Sequence, residues 1–374
     1  VINIKFTKLF LVFFLSVIVT FQFSCSASHQ VEKKNLNEDK NFVFTVWGHG
    51  DADKSEASWD SVFTKLYNAG ITDYFLMASP SELKRLVHLT KNKGIRIHCW
   101  IWTLNRPNDT TAQKHPDWYS VNREGKNSLE AKPYVNYYQW LSPFSEGATN
   151  YIKQNIREIA EIDGLASVHL DYVRYCDVIL GKALQPKYNL VQDKEMPEYD
   201  FGYHPNARKE IEKLFGVDPV KMEHPELSNE WRQFRLNAVT KLVNELAEIA
   251  HKNGKKISAA VFPYPELARM NVRQDWSSWN LDIAIPMVYQ NFYQQDLNWA
   301  GFSIEQGVRE VQNKFPIYAG LFIPSLTPQE LKKAILISKN SGAKGVSFFN
   351  LSSLTNEHLK IIWKIFEKIN ISSK

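Results

Sequence analysis

The stretch Ser167-Val168-His169-Leu170-Asp171-Tyr172-Val173-Arg174-Tyr175 sets an acid, an arginine and two tyrosines at the end of a short apolar run. Period-two alternation puts His169 and Asp171 on one face and Val168 and Leu170 on the other. An aspartate where a buried strand gives way to polar residues stands where a parallel α/β barrel presents catalytic groups, because the interior below is already filled with side chains. Polar strand ends recur along the chain: Trp47, His49, Asp51 and Asp53; Met77 and Ser79; Trp102, Asn105 and Arg106; Asp171, Tyr172 and Arg174; Tyr264 and Glu266; Tyr289 and Gln290; Phe322; and Asn350.

Acids among flat aromatic rings suit carbohydrate chemistry. Sugar rings stack their apolar faces on Trp and Tyr, while their hydroxyls pair with Asp, Asn and Arg. Glycosidic cleavage ordinarily needs two carboxyl groups, one to protonate the departing oxygen and one to attack or to activate water. Asp171 is the first candidate, as nucleophile or base, with Arg174 near enough in sequence to keep it ionised or to grip substrate. Glu266, in Phe262-Pro263-Tyr264-Pro265-Glu266, is the candidate acid, and Asp275, in Gln274-Asp275-Trp276, is its rival unless it caps a following helix. Asp282 falls at the start of a strand, the wrong end of a barrel, and reads as structural. Trp47, Trp102, Asn105, Arg106, Tyr172, Arg174, Tyr264, Tyr289 and Asn350 are the expected substrate contacts. Trp118, Tyr119, Tyr134, Tyr137, Tyr138 and Trp140 crowd one connection and favour an aromatic groove long enough for several sugar units.

Other chemistries are poorly supported. There is no Gly-rich phosphate loop and no G-x-S-x-G elbow. His49 with Asp51 and Asp53, and His98 with His169, lack a zinc spacing, so neither a metal nor another cofactor is expected. Cys99 and Cys176 read as free buried thiols rather than a disulfide framework.

The elements that must position these residues alternate strand and helix, which points to an α/β fold, a (β/α)8 TIM barrel, with the parallel sheet inside. The strands expected are Phe42–Trp47, Asp73–Met77, Arg96–Trp102, Ser167–Asp171, Lys256–Phe262, Leu281–Tyr289, Pro316–Phe322 and Gly345–Phe349. Amphipathic stretches lie between them at Trp59–Ala69, Pro80–Lys93, Glu146–Ile162, Asn229–Asn253, Ile304–Lys314 and Pro328–Ser341, with Gly70, Gly94, Gly254 and Gly342 placed to end helices. The fifth helix is the weakest, its only pattern being Val272–Trp279. A long insertion, residues 172–228, follows strand four; it carries five prolines and a short helical pattern at Asn206–Phe215, and is expected to fold over the mouth.

At the N-terminus, Lys5 and Lys8 precede the apolar run Leu9–Phe23, which ends at Ser24-Cys25. This reads as a secretory signal over residues 1–24. Cys25 resembles the acylated cysteine of bacterial lipoproteins, although Gln22 stands where their motif has a branched aliphatic residue, and a plain cleaved signal or an uncleaved anchor stays open. Residues 25–40 then form a tether and 41–374 one domain, whose 44% hydrophobic and 13% aromatic content suits a sizeable core. Loss of residues 1–24 lowers the formal charge of +5 by two and leaves little to attract a nucleic acid.

His98-Cys99-Trp100, His115-Pro116-Asp117-Trp118, Leu141-Ser142-Pro143, His169 to Tyr175, Phe201-Gly202-Tyr203-His204-Pro205, Gly216-Val217-Asp218-Pro219, Trp231-Arg232, Gln274-Asp275-Trp276 and Asp282 to Tyr289 together resemble the bacterial family 10 glycosylhydrolase-like lipoproteins. The resemblance spans most of the chain. It implies a (β/α)8 barrel acting on glycans outside the cytoplasm, with a polysaccharide or peptidoglycan glycan as partner and a lipid anchor in the cell envelope, the outer membrane being the expected one. It also sets Asp171 in the place of the family's strand-four aspartate. Strand one, ending Val46-Trp47-Gly48-His49, and strand eight, ending Phe348-Phe349-Asn350-Leu351 without a carboxylate, depart from the family pattern and imply a different substrate. Two readings from other classes remain beside the hydrolase: a glycan-binding lipoprotein without turnover, and a metal-dependent hydrolase or deacetylase.

Overall fold

Short runs buried along nearly their whole length, and so on both faces, such as Ser167–Asp171 and Asp73–Met77, are what an all-parallel sheet covered by helices requires. The computed structural model describes residues 41–371. Their eight strands are β1 (Val43–His49), β2 (Asp73–Met77), β3 (Arg96–Trp102), β4 (Ser167–Asp171), β5 (Lys256–Val261), β6 (Ile283–Pro286), β7 (Tyr318–Phe322) and β8 (Gly345–Phe349). All pair in parallel in the order β6-β5-β4-β3-β2-β1-β8-β7. Isolated bridges Ala284 to Ile317 and Met287 to Gly320 bring β6 against β7, so the sheet is a nearly closed barrel. Cys25 and the segments assigned to signal and tether lie outside the described residues.

The helices are α1 (Glu56–Asn68), α2 (Pro80–Thr90), α3 (Glu146–Ala160), α4 (Pro205–Phe215), α5 (Asn229–Lys252), α6 (Pro265–Val272), α7 (Leu297–Val311), α8 (Pro328–Asn340) and α9 (Asn356–Phe366). Ser55, Ser79, Ser145 and Ser228 each accept an orphan N–H of the first turn of α1, α2, α3 and α5, a cap worth about 1 kcal/mol. The chain leaves α1 through Gly70 at φ +80° and α8 through Gly342 at φ +97°, a conformation that glycine takes without strain.

Several elements differ from the sequence expectation: β1 runs on to His49, α7 begins seven residues earlier, at Leu297, and α9 was not expected, while two further differences turn on proline. The fifth helix is not Val272–Trp279 but α6, Pro265–Val272, because Pro265 opens it at the first position, where no N–H is needed, and Arg273 ends it in the left-handed region. Strand six is shorter than Leu281–Tyr289. Pro286 offers no N–H to a ladder, and Val288 and Tyr289 turn back onto the carbonyls of Pro286 and Met287.

One core lies between sheet and helices, and a second, made of Trp47, Phe75, Trp100, Ala260, Ile285 and Tyr318, fills the barrel. Threaded through the second is a polar column. At the lower end Asp73 holds Arg96 (2.8 Å) and His98 (2.8 Å), whose other nitrogen meets Ser167 (2.6 Å). One layer up, the Trp47 indole donates to His169 Nε2 (2.9 Å), and His169 Nδ1 meets Ser258 (2.8 Å).

Residues 172–228 between β4 and α5 contain α4 and short 3-10 turns. Buried pairs hold them in place: Arg235 with Asp200 (2.6 Å) and Arg273 with Glu195. Tyr188 and Tyr199 pack on Tyr134 of the connection after β3.

Candidate active site

Alternation along β4 carries His169 into the barrel and Asp171, two residues on, to its upper rim. Asp171 is buried (8% exposed), and both carboxyl oxygens are met by donors: the Trp100 indole N–H at 3.0 Å and the Tyr172 amide at 2.6 Å. Burial, the dominant influence, pushes the carboxyl up to about 6; the two hydrogen bonds and the more distant Arg174 charge pull against it without cancelling it. A carboxylic acid that still holds its proton near pH 6 is a proton donor suited to a departing sugar oxygen.

Aromatic rings stand on both sides of this carboxyl. On one side Trp102, in register with Asp171, lies 4.7 Å from the Tyr172 ring and 6.0 Å from Tyr137. On the other, Tyr289, Phe322 and Phe349 form a second bank with centroids 5.2–6.2 Å apart, and Phe349 meets Trp100 at 6.0 Å. Such banks can stack the faces of a glycan and hold a bond over Asp171.

Arg174 does not ion-pair with Asp171. Its guanidinium pairs with Asp177 (3.0 Å) and lies over Trp140, Phe262 and Tyr172 at 4.9–5.3 Å, buried. It therefore fixes the Tyr172 ring rather than offering a free charge. Trp47 is likewise corrected: at 1% exposure, with its N–H held by His169, it is a barrel layer beneath the mouth.

Glu266 and Asp275 come together, but on another group. Both bind Arg269, at 3.2 and 3.0 Å, which also holds Glu310 of α7. Glu266 sits in the first turn of α6, one turn from Arg269, so helical spacing turns it along the outer surface. Asp275 also accepts from Ser277 and Ser278. Both candidate acids are thus engaged by Arg269, and neither makes a hydrogen bond or ion pair with Asp171.

The remaining candidates divide. Tyr289 belongs to the rim. Asn105 is fully buried and accepts the Gln139 amide; Arg106 donates to the Thr103 carbonyl and lies 3.8 Å from Asp109; both line a groove of about 530 Å³ between α2 and α3 that Trp102 also borders. Tyr264 packs on Trp299 and Phe302 of α7. Asn350 accepts the Ser352 and Ser353 hydroxyls.

Among the described residues no group of three or more His, Cys, Asp or Glu side chains is arranged to hold a metal ion. His98 and His169 have both ring nitrogens occupied by protein partners. Cys99 and Cys176 are free and buried. Sequence reasoning placed His49 among the polar strand ends but gave it no role beyond that of a metal ligand: the alternation Thr45, Trp47, His49 sets it at the rim, its ring 5.1 Å from Trp100.

A family model for glycosyl hydrolase-like 10 matches residues 26–333. The chain belongs to this family. No curated protein matches the sequence. Solved structures share its fold at low identity. The glycoside hydrolase domain of PgaB (BpsB) from Bordetella bronchiseptica is 11% identical with a TM-score of 0.63, over 88% of this chain and 99% of that one. The catalytic domain of β-amylase from Paenibacillus polymyxa is 12% identical at 0.58, over 89% and 99%. Gan42B, a GH42 β-galactosidase from G. stearothermophilus, is 11% identical at 0.61, over 89% of this chain and 57% of that one. The barrel of this glycosyl hydrolase-like chain is therefore a fold that named glycoside hydrolases use.

Proposed function

We propose that the protein is an extracytoplasmic glycoside hydrolase that cleaves O-glycosidic bonds in a polysaccharide or cell-wall glycan, with Asp171 as general acid. The observation that carries this reading is the Asp171 carboxyl, raised to about 6 and set between two aromatic banks at the barrel mouth. That shift moves Asp171 from nucleophile or base, the roles its strand-end position first suggested, to proton donor. Membership of a glycosyl hydrolase-like family, and the glycoside hydrolase, β-amylase and β-galactosidase names of solved barrels with this fold, support the reaction class. Trp102, Tyr172 and Tyr289 are the proposed sugar platforms, with Asn105 and Arg106 along the adjoining groove. Glu266 and Asp275 are assigned to the Arg269 ion cluster in place of acid catalysis, and Tyr264 and Asn350 to packing and turn formation. The reaction needs no cofactor. Acylation of Cys25 after removal of residues 1–24 would tether the barrel to the envelope through residues 25–40.

The absence of a carboxylate partner on Asp171 favours one second reading, a glycan-binding lipoprotein without turnover. Incubation with purified polysaccharides and peptide-free peptidoglycan strands separates the two. New reducing ends from wild type and not from Asp171→Asn mark a hydrolase, whereas binding without release marks a glycan-binding protein.

A further inference from the structure

Resting on that reading, the reaction needs a second group. Asp171 can protonate the departing oxygen, but something must take a proton from the water that replaces it. Among the described residues the Asp171 carboxyl is met only by Trp100 and Tyr172, and no other acid contributes to its raised value.

β1 offers a candidate. Trp47 packs inside the barrel, so His49, two residues later, rises on the same face to the mouth. Its ring centroid is 5.1 Å from that of Trp100, whose indole N–H binds Asp171. One indole thus touches both the imidazole and the carboxyl. The other two histidines that face the barrel have every ring nitrogen engaged. His49 is exposed, and among the described residues neither of its ring nitrogens has a hydrogen-bond partner. An unpartnered imidazole opening onto the mouth is free to bind water.

We propose that His49 is the general base of the hydrolysis, working with Asp171 in a single inverting displacement. The Asp171 carboxyl gives its proton to the glycosidic oxygen as the bond from that oxygen to the anomeric carbon breaks. A water oxygen bonds to the anomeric carbon from the opposite face, and its proton passes to an imidazole nitrogen of His49. The products are an alcohol and a hemiacetal of inverted configuration; solvent then takes the proton from His49 and returns one to Asp171. An inverting pair keeps its two groups about 6.5–9.5 Å apart, so that sugar and water fit between them. Partial burial lowers the affinity of His49 for a proton, which favours its neutral, basic form. The titratable or charged groups around it are Tyr74 of β2, whose hydroxyl reaches the His49 carbonyl at 3.5 Å, Lys54 after β1 and Lys65 of α1, which line the same outer groove, and Asp171 beyond Trp100.

The test uses the full chain on whichever glycan gives reducing ends. Proton NMR of the first product should show inversion. His49→Gln and His49→Ala should keep the wild-type melting temperature and KM within threefold, with kcat lowered about 100-fold or more. His49→Gln should also lose the fall in rate at low pH, and added imidazole should restore part of the rate of His49→Ala. Retention of configuration overturns the assignment, as do His49 variants within threefold of wild-type kcat with an unchanged pH profile. A wild type that hydrolyses no glycan overturns the parent reading, and the role of His49 falls with it; an active wild type with indifferent His49 variants overturns this assignment alone.

Discussion

Asp73 and Asp171 both point into the barrel from its strands, both are buried, and they answer burial in opposite ways. Asp73, near the lower end, meets Arg96 and His98; burial opposes its charge, but those partners outweigh it and hold the carboxyl well below the usual carboxylate range. Asp171, at the mouth, has among the described residues only an indole N–H and a backbone amide as direct partners, and burial wins, pushing it up to about 6. Cationic partners make the first a charged staple; neutral donors leave the second a stored proton. Burial alone therefore does not mark a catalytic acid. The charge of what surrounds it does.

The comparison can be broken first at Asp171. Asp171→Asn should lower kcat by at least about 10³-fold with the fold retained, because an amide cannot release the proton. Asp73→Asn should do the reverse: a stability loss of about 3–5 kcal/mol in urea melts from leaving Arg96 and His98 without their anion, and, in the folded fraction, a kcat close to wild type.

Proton linkage sharpens the contrast. Because the folded-state value of Asp171 is raised, its protonated form is favoured by folding; that contribution is complete below the unfolded value of 3.8 and is lost as pH rises through about 6. The stability difference between wild type and Asp171→Asn should therefore fall by up to about 3 kcal/mol between pH 3.5 and 7 in denaturant melts. Asp73→Asn should show the opposite slope, since a depressed carboxylate stabilises above its unfolded value and loses that as pH falls. A smaller effect is expected at Trp100. Trp100→Phe removes the N–H that favours the ionised carboxyl, so the basic limb of the rate profile should move up by roughly one pH unit. Smallest of all, Glu266→Gln should leave kcat within about twofold and stability within about 1 kcal/mol, as for other exposed ion pairs.

Much of the barrel was legible. β2, β3, β4 and β8 have the expected bounds because their apolar runs are short and sharply ended. Where proline governs the outcome, at Pro265 and Pro286, the pattern misled: one opens a helix and the other closes a strand. Of the site, alternation reported the face of each strand residue but not its depth. Trp47 and His49 share a face, yet Trp47, paired in register with the buried Phe75, lies in the barrel core, and His49 takes the rim. Glu266 and Asp275 follow the right strand in sequence, but their direction depends on where α6 begins and on the position of Arg269, which no local pattern records.

The most direct test of Asp171 as a stored proton at a glycan-cleaving mouth is the pH dependence of reducing-end release by wild type, with Asp171→Asn as control. Release that falls as pH rises through about 6, and is absent in the variant, is the predicted result. Equal release by the variant, or a rate that stays flat through that range, would contradict it.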